Sequence, residues 1–591
     1  MPELQQQNFR VNLGGVIALL SKNLYSSPGV YIRELIQNAV DAIAARDALG
    51  ESPAPRAISI SPYGVTSPDS PADEFTITDA GIGVSAQQVE QFLATVGASS
   101  KSDELQRSRR TYIGQFGIGL LSCFLIADEI TVVSRSATGA EPIKWVGHSD
   151  GTYTIRTIDG DIPVGTTVRL RPRANMIGWA RAEQVSPLVQ KYAEFLPVAI
   201  TVLTSQGAKV VSRNYPWAHD FGAHRSQVQQ GVSPVYGGVG VGKQFDAIEV
   251  NDAELGLHGV VYIGTPSRRS KSVGRNRVYI NDMLVDEAEN ALMPGWAFFA
   301  KAVVNSTQLE PTASRETLVH NAVLTRTRRK LADAALSWLR DLADTDPERF
   351  SEFVADNELD LRSATTDGVA AENLELAEVV LPMLTMQTTE GRMRLIDIVG
   401  HNPNVLYAVS VNEFRTIASF NPGGRIVVNA GHTLDQEVLL MLPQVLAGVT
   451  VTRAYPASEI AGLALPSADG EVLALEQRGT QALNASGCRV VARQFPSTDL
   501  PAVFIGHGQI DMGSPGYGDL AHIVVNWDNR AVQALTRTTD DLVFSRLMQL
   551  LYVQARMAAQ CDGPEDRVLL SEALDDIILL AAGVDGTEVA R

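Results

Sequence analysis

Glu34, Asn38 and Asp41 set two carboxylates and an amide within Tyr31-Ile-Arg-Glu-Leu-Ile-Gln-Asn-Ala-Val-Asp-Ala42. Their spacing of i, i+4, i+7 places all three on one face of a helix. Ile32, Leu35, Ile36, Ala39 and Ile43 supply its apolar side. Such a face suits a magnesium-nucleotide site, because magnesium takes oxygen ligands in octahedral geometry and keeps several waters. Asn38 offers the metal a neutral oxygen, and Glu34, one turn earlier, can take a proton from an attacking water. Taken alone, the stretch reads first as an ordinary amphipathic helix with its polar side in water, so the other motifs must decide.

Three further segments complete a pocket. Phe75-Thr-Ile-Thr-Asp79 reads as a strand ending in an acid, followed at once by Ala80-Gly81-Ile82-Gly83. Gly81 and Gly83 let the backbone approach a flat ligand, and Asp79 can accept a hydrogen bond from an exocyclic amine such as that of adenine. Gly114-Gln115-Phe116-Gly117-Ile118-Gly119 opens an apolar run, Leu120 to Ala127, read as a helix. Free amides at a helix start bind phosphate oxygens. Gly165-Thr-Thr-Val-Arg-Leu170 reads as a strand whose Thr166 could reach the base pocket. Between Leu93 and Gly117, small and polar residues suit a movable lid.

Composition narrows the classes. The chain has 591 residues, enough for several domains, with 45% hydrophobic and 20% charged residues. Its net charge of −18 makes it a poor partner for a phosphate backbone. Cys123, Cys488 and Cys561 form no short pair, which points to a reducing compartment and no metal cluster. Met1-Pro-Glu-Leu-Gln-Gln-Gln lacks the basic start and apolar run of a signal peptide. No apolar stretch approaches the ~20 residues that span a bilayer. The expectation is a cytoplasmic protein with neither nucleic-acid nor membrane partner.

Order, spacing and wording of the four segments resemble the GHKL ATPases, and most closely the heat-shock protein 90 chaperone family. Arg33-Glu-Leu-Ile-Gln-Asn-Ala-Val-Asp41, Asp79-Ala-Gly-Ile-Gly83 and Ile113-Gly-Gln-Phe-Gly-Ile-Gly119 carry that likeness. It continues through Val278-Tyr-Ile-Asn-Asp-Met-Leu-Val-Asp286, read as a middle-domain strand, and through Pro294 to Val304 and Ser314-Arg-Glu-Thr-Leu318. It thins after about Thr345, returning at Val524-Val-Asn-Trp-Asp-Asn529 and Leu551 to Ala558.

The resemblance implies an α/β (α+β) multidomain chain. An N-terminal GHKL (Bergerat) ATP-binding sandwich would span 1–180, with a lid at about 94–117. An α/β middle domain would span 183–455, with a catalytic loop at about 305–321, and a C-terminal α/β dimerisation domain 456–591. It implies ATP and magnesium as cofactors, with Glu34 as base, Asn38 on the metal and Asp79 on adenine. Asp41, Gly81, Gly83, Ser99, Ser100, Gly114 to Gly119 and Thr166 would line the nucleotide, and Arg315 would neutralise charge on the γ-phosphate. Unfolded client proteins and a second copy of the chain are the implied partners. The chain departs from the family at two places. The lid has Ala98-Ser-Ser-Lys101 where the family has a Lys-Ser-Gly-Thr-Lys run, and Val319 stands where a Gln usually follows the arginine by four residues. His320 or Asn321 could compensate. Neither the charged linker nor the acidic tail peptide of the eukaryotic cytosolic relatives is read in the sequence, so by resemblance a bacterial-like protein is expected.

Helical patterns are expected at 324–342, 371–386, 542–560 and 568–582, and strands at 425–429 and 448–452. Val438 to Leu442, cut by Pro443, reads as a buried segment. Gly237-Gly-Val-Gly-Val-Gly-Lys243 has P-loop spacing, but Gln244 stands where a magnesium-binding Ser or Thr belongs, so it reads as a loop. Ser122 and Ser134 have no His partner in sequence, and the nine histidines have no metal-ligand spacing. Two rivals remain open: a DNA-acting GHKL ATPase of the mismatch-repair or topoisomerase kind, and a nucleotide-gated scaffold with little turnover.

Overall fold

The structure is a computed structural model. It describes residues 27–50, 55–66, 71–92, 119–231, 241–266, 276–286, 292–312, 315–366, 371–420, 424–467, 469–506 and 521–582. The chain divides into two compact units, Met1–Trp338 and Leu339–Arg591.

The first unit is organised around a sheet of order β5-β4-β3-β6-β2-β1-β7-β8. Its strands are β1 (Ala57–Ser61), β2 (Phe75–Asp79), β3 (Ala127–Arg135), β4 (Ile143–His148), β5 (Tyr153–Thr157), β6 (Gly165–Pro172), β7 (Ala199–Thr204) and β8 (Gly207–Val210). Neighbours run antiparallel except β1 and β7, which are parallel. Alternation sorts the faces: Phe75 and Ile77 on β2, Ile130 and Val132 on β3, and Val168 and Leu170 on β6 all enter one core. Helix α1 (Val30–Asp47) lays Ile32, Ile36, Ala39 and Ile43 on the same core. Fully burying an isoleucine is worth about 1.5–3 kcal/mol, so the apolar side of α1 orients its polar side. Helix α2 (Ala86–Phe92) follows β2, and helix α3 (Ala182–Ala193) buries Val185, Val189 and Ala193.

The stretch Leu120 to Ala127 is not the helix expected. Gly119–Leu125 makes a 3-10 turn, and β3 begins at Ala127. A continuous apolar run carries no period that separates a buried helix from a buried turn and strand.

A second sheet in this unit has the order β12-β11-β13-β10-β9. It comprises β9 (Val241–Asp252), β10 (Leu257–Pro266), β11 (Arg277–Ile280), β12 (Met283–Asp286) and β13 (Ala300–Ser306). The segment Val278 to Asp286 is therefore a hairpin and not one strand. Asn281 and Asp282 take φ of 47° and 66°, the paired positive values of a tight hairpin turn. Asn305 locks the turn by donating to Asp282 Oδ1 at 2.8 Å and accepting its amide at 3.0 Å. Lys243 and Gln244 lie in β9, so a strand follows the glycine run where a P-loop requires a helix.

The second unit contains a sheet of order β15-β14-β17-β16-β18, from β14 (Thr385–Thr388), β15 (Gly391–Arg394), β16 (Asn404–Ala408), β17 (Val427–Asn429) and β18 (Thr450–Arg453). A three-stranded sheet, β19-β21-β20, follows, from β19 (Cys488–Arg493), β20 (Ala502–Ile505) and β21 (Ala521–Asn526). On edge strand β19 the Val490 and Ala492 amides donate to Thr480 Oγ1 and Glu476 Oε1. Side chains there take bonds that another strand would otherwise make. The helix expected over 371–386 ends at Val380, where Pro382 forces a 3-10 turn before β14. Pro443 does not break its segment: Asp435–Val445 is helical and buries Val438, Leu439 and Leu442. The chain then makes two long helices, Asp541–Ala558 and Pro564–Ala582.

Candidate functional site

Asp79 ends β2 on the core-facing side, in series with Phe75 and Ile77. Antiparallel register sets it opposite Thr166 of β6, and Thr166 opposite Ser134 of β3. Residues directly opposed share a face, so three polar side chains form one row across three strands. The Gly81 amide donates to Asp79 Oδ1 at 2.8 Å, and the Thr166 backbone also bonds the carboxylate. Loss of water outweighs both bonds and pushes the Asp79 carboxyl up to about 7.

The turn after β2 is fixed from several sides. Arg46 of α1 donates to the Ala80 carbonyl at 2.9 Å, and the Ile82 amide donates to the Ala42 carbonyl at 2.9 Å. Gly83 has φ of 68°, and a Cβ there would lie 2.0 Å from the Arg135 carbonyl oxygen. Only glycine fits that position.

Glu34 lies on the same helix and is 4% exposed. Arg33 donates to its Oε1 from Nη2 at 3.0 Å and from Nε at 3.2 Å. Arg315 Nη1 donates to Oε2 at 3.0 Å, although 281 residues separate the two in sequence. Arg33 Nη1 also donates to the Arg315 carbonyl at 3.2 Å. Arg315 holds φ of 55°, a left-handed conformation uncommon outside glycine, and such residues concentrate at functional sites. A Cβ on Gly119 would sit 2.7 Å from Glu34 Oε2, so the chain passes directly over the carboxylate. Cys123 is fully buried nearby; burial first, and the Glu34 charge second, hold its thiol far above its ordinary value. This end gathers two guanidiniums on one carboxylate, a charge set that could exchange Glu34 for a phosphate.

Of the residues expected from sequence, the structure brings together Asp79, Gly81, Gly83 and Thr166 at one end, and Glu34, Gly119 and Arg315 at the other. Asn38 is exposed and Asp41 half-buried on the intervening face of α1. Ser99, Ser100, Gly114, Gln115, Phe116, Gly117 and Ile118 lie outside the described residues, as does the lid. Asn321 is committed elsewhere: its Oδ1 accepts the Leu324 amide at 3.0 Å and caps the helix Ala322–Thr345. Trp217 and Trp296 are buried, at 6% and 3% exposure, and belong to the core. Sequence reasoning missed Arg33, Arg46 and Ser134. Ser134 did carry a signal, being the polar residue that breaks the inward series Ile130, Val132 on β3.

Residues 25–159 match the family model described as "Histidine kinase-, DNA gyrase B-, and HSP90-like ATPase", and residues 253–392 match "Hsp90 protein". The chain is thus a mixed α/β multidomain protein whose N-terminal region matches a GHKL-type ATPase domain. The two models are matched in order along the chain, and the likeness to the heat-shock protein 90 family is carried by these two stretches. The chain is similar to "Chaperone protein HtpG" of Desulfitobacterium hafniense (strain Y51), at 24% identity over 67% of this chain and 66% of that protein. A "TNF receptor-associated protein 1 homolog, mitochondrial" of Dictyostelium discoideum is 26% identical over 60% of this chain and 51% of its own length. The HtpG chaperone of Salinispora arenicola (strain CNS-205) is 26% identical over 66% of this chain and 65% of its own. The match therefore spans between half and just under two thirds of these relatives.

Proposed function

We propose that the chain is an ATP-hydrolysing molecular chaperone that works as a homodimeric clamp on partly folded client proteins. The observation that carries this reading is the pairing of Glu34 with Arg315, on the helix that also anchors the turn after Asp79 through Arg46 and Ala42. A base-reading acid, a water-activating acid and a distant arginine are what γ-phosphoryl transfer to water requires. Such chemistry is mostly positioning and charge stabilisation.

Asp79 accepts the adenine amino group, beside Thr166 and over Gly81 and Gly83. Glu34 orients the attacking water and takes its proton once an oxygen is released from Arg33 or Arg315. Arg315 then faces the γ-phosphate. Asn38, exposed one turn after Glu34, suits a magnesium ion shared with the phosphates, and Asp41 lies on the same face. Magnesium supplies charge neutralisation at the phosphate oxygens when bound. Ser99, Ser100 and the loop Gly114 to Gly119 close over the phosphates.

The division into 1–180, 183–455 and 456–591 is retained as the proposed domain plan. Dimerisation is assigned to the last of these. On the helix Pro564–Ala582, Val568 and Ile578 are 58% and 60% exposed, apolar surface that a second copy would cover. Truncation after Tyr455 should then give monomers in light scattering, and a truncated chain that stays dimeric would move the interface. Among the described residues no helix is long and apolar enough to cross a membrane.

A second reading, a nucleotide-gated scaffold with little turnover, draws on the double occupation of the Glu34 carboxylate and on Val319. One experiment separates the two. Phosphate release should be measured with and without a heat-unfolded client, alongside suppression of client aggregation with and without ATP. Turnover together with ATP-dependent suppression supports the chaperone; ATP-dependent suppression without turnover supports the scaffold.

A further inference from the structure

Ser134 is fully buried at the inner end of the Asp79–Thr166–Ser134 row. Its Oγ lies 2.9 Å from the Gly165 carbonyl oxygen, 2.9 Å from the Val84 amide nitrogen and 3.0 Å from Thr166 Oγ1. A hydroxyl has one proton to give and two lone pairs to offer. The Gly165 carbonyl can only accept, so the Ser134 proton goes there. The Val84 amide can only donate, so it takes one lone pair. The second lone pair is what remains for Thr166, whose own proton must point at Ser134. Thr166 Oγ1 is then left with lone pairs, and no proton, for any ligand group beside Asp79. Ionised Asp79 likewise only accepts.

We propose that Ser134 sets the base preference of the pocket by fixing the direction of the Thr166 hydroxyl. Two acceptors side by side take a 6-amino purine, whose exocyclic nitrogen carries two donors. They repel a 6-oxo purine, whose exocyclic oxygen would meet lone pairs and leave buried polar atoms unpaired. Ser134 touches no ligand in this scheme and is a positioning residue. The same hydroxyl ties the start of β6 and the end of the Gly81–Gly83 turn to β3, so the row and the turn move as one piece. This inference rests on the reading of the pocket as a purine-nucleotide site.

The test is calorimetric titration of the full chain with ATP and with inosine triphosphate, which differs in carrying a 6-oxo base. It is done at pH 8, above the Asp79 value of about 7, so that the carboxylate is ionised. The wild type should prefer ATP. Ser134→Ala frees the Thr166 hydroxyl to turn and donate, and the ATP preference should fall by roughly tenfold, one hydrogen bond's worth. Ser134→Thr keeps the hydroxyl and should restore the preference, which a merely structural role for the small side chain would not explain. A Ser134→Ala protein with the wild-type preference overturns the proposal and leaves the base site standing. Should Ser134→Ala fail to fold, Thr166→Val decides: it removes the second acceptor, and an unchanged preference there overturns the proposal. A wild-type ATP affinity indifferent to Asp79→Asn overturns the base-site reading and the role of Ser134 with it.

Discussion

The two ends of the proposed nucleotide site, a base end at Asp79 and a hydrolytic end at Glu34, are built by different means. At the base end, Asp79, Thr166 and Ser134 meet because three neighbouring strands are in register. The row is held by hydrogen bonds to Gly81, Val84 and Gly165 before a ligand enters. At the hydrolytic end, Glu34 meets one arginine from its own helix and another from 281 residues away. Both of its oxygens are engaged with protein. On the proposed reading, the base end would bind as it stands, whereas the hydrolytic end would first give up an ion pair. Breaking a buried pair costs about 3–5 kcal/mol when it leaves a charge uncompensated. A phosphate offered to the released arginine removes most of that cost, because guanidinium and phosphate make strong bidentate contacts. Binding and turnover should therefore be separable by mutation.

The largest effect is expected at the hydrolytic end. Glu34→Ala should lower phosphate release by ~10²-fold or more, the usual consequence of losing a general base, while ATP still binds. Arg315→Ala should also slow release without weakening ATP binding. Unchanged turnover in Glu34→Ala would remove that residue from the mechanism and collapse the contrast between the two ends.

The base end should fail in the opposite sense. Asp79→Asn keeps the shape but puts a donor where an acceptor is needed, and should weaken ATP binding by ~10²-fold or more, the range seen when a polar site loses its matching partner. A folded Asp79→Asn protein with wild-type affinity would mean that the adenine amine is read elsewhere.

A smaller, graded effect follows from burial of Asp79. Burial pushes its carboxyl up to about 7, from an ordinary value of 3.8. A bound amino group favours the ionised form, so binding below pH 7 must expel a proton. Affinity should fall by up to about tenfold per pH unit below 7 and level off above it. Calorimetry in buffers of different ionisation enthalpy should register nearly one proton released at pH 6 and almost none at pH 8. A flat profile would place the carboxylate in contact with more water than its surroundings suggest.

The same contrast governs what sequence alone reveals. The α1 face was legible because Glu34, Asn38 and Asp41 follow the helix period, and Asp79 because an acid closes a short apolar strand before two glycines. Thr166 was legible as the start of a strand that could reach the base pocket, but not its place directly opposite Asp79. Ser134 was set aside for want of a His partner, since strand register, not spacing, brings it beside Thr166. Arg33 reads as one more charge on a helix until its guanidinium is found on Glu34. The hairpin at Asn281-Asp282 was read as one strand because its two-residue turn interrupts the apolar pattern so briefly. The helix expected at Leu120 and the one expected to run to Met386 fail for local reasons: an aperiodic apolar run, and a proline whose missing amide stops the ladder.

The smallest effect probes the arginine loop. Val319 is 37% exposed, and its amide is anchored to the Glu310 carbonyl at 2.8 Å, beside a bridge between Pro311 and Leu318. The loop around Arg315 is thus tied down on both flanks, and Asn321 is spent as a helix cap. The side chain at 319 is partly exposed, so a longer polar one can be accommodated there. Val319→Gln should raise turnover by roughly two- to fivefold, less than the worth of a fully buried hydrogen bond, with no change in ATP affinity. Being a surface change, it should shift stability by no more than about 0.5 kcal/mol, so a thermal melt checks that the gain is chemical. A Gln variant no faster than wild type would mean that the anchored loop holds position 319 away from the nucleotide. Arg315 would then work without an amide partner, and the slow step would lie in freeing Glu34.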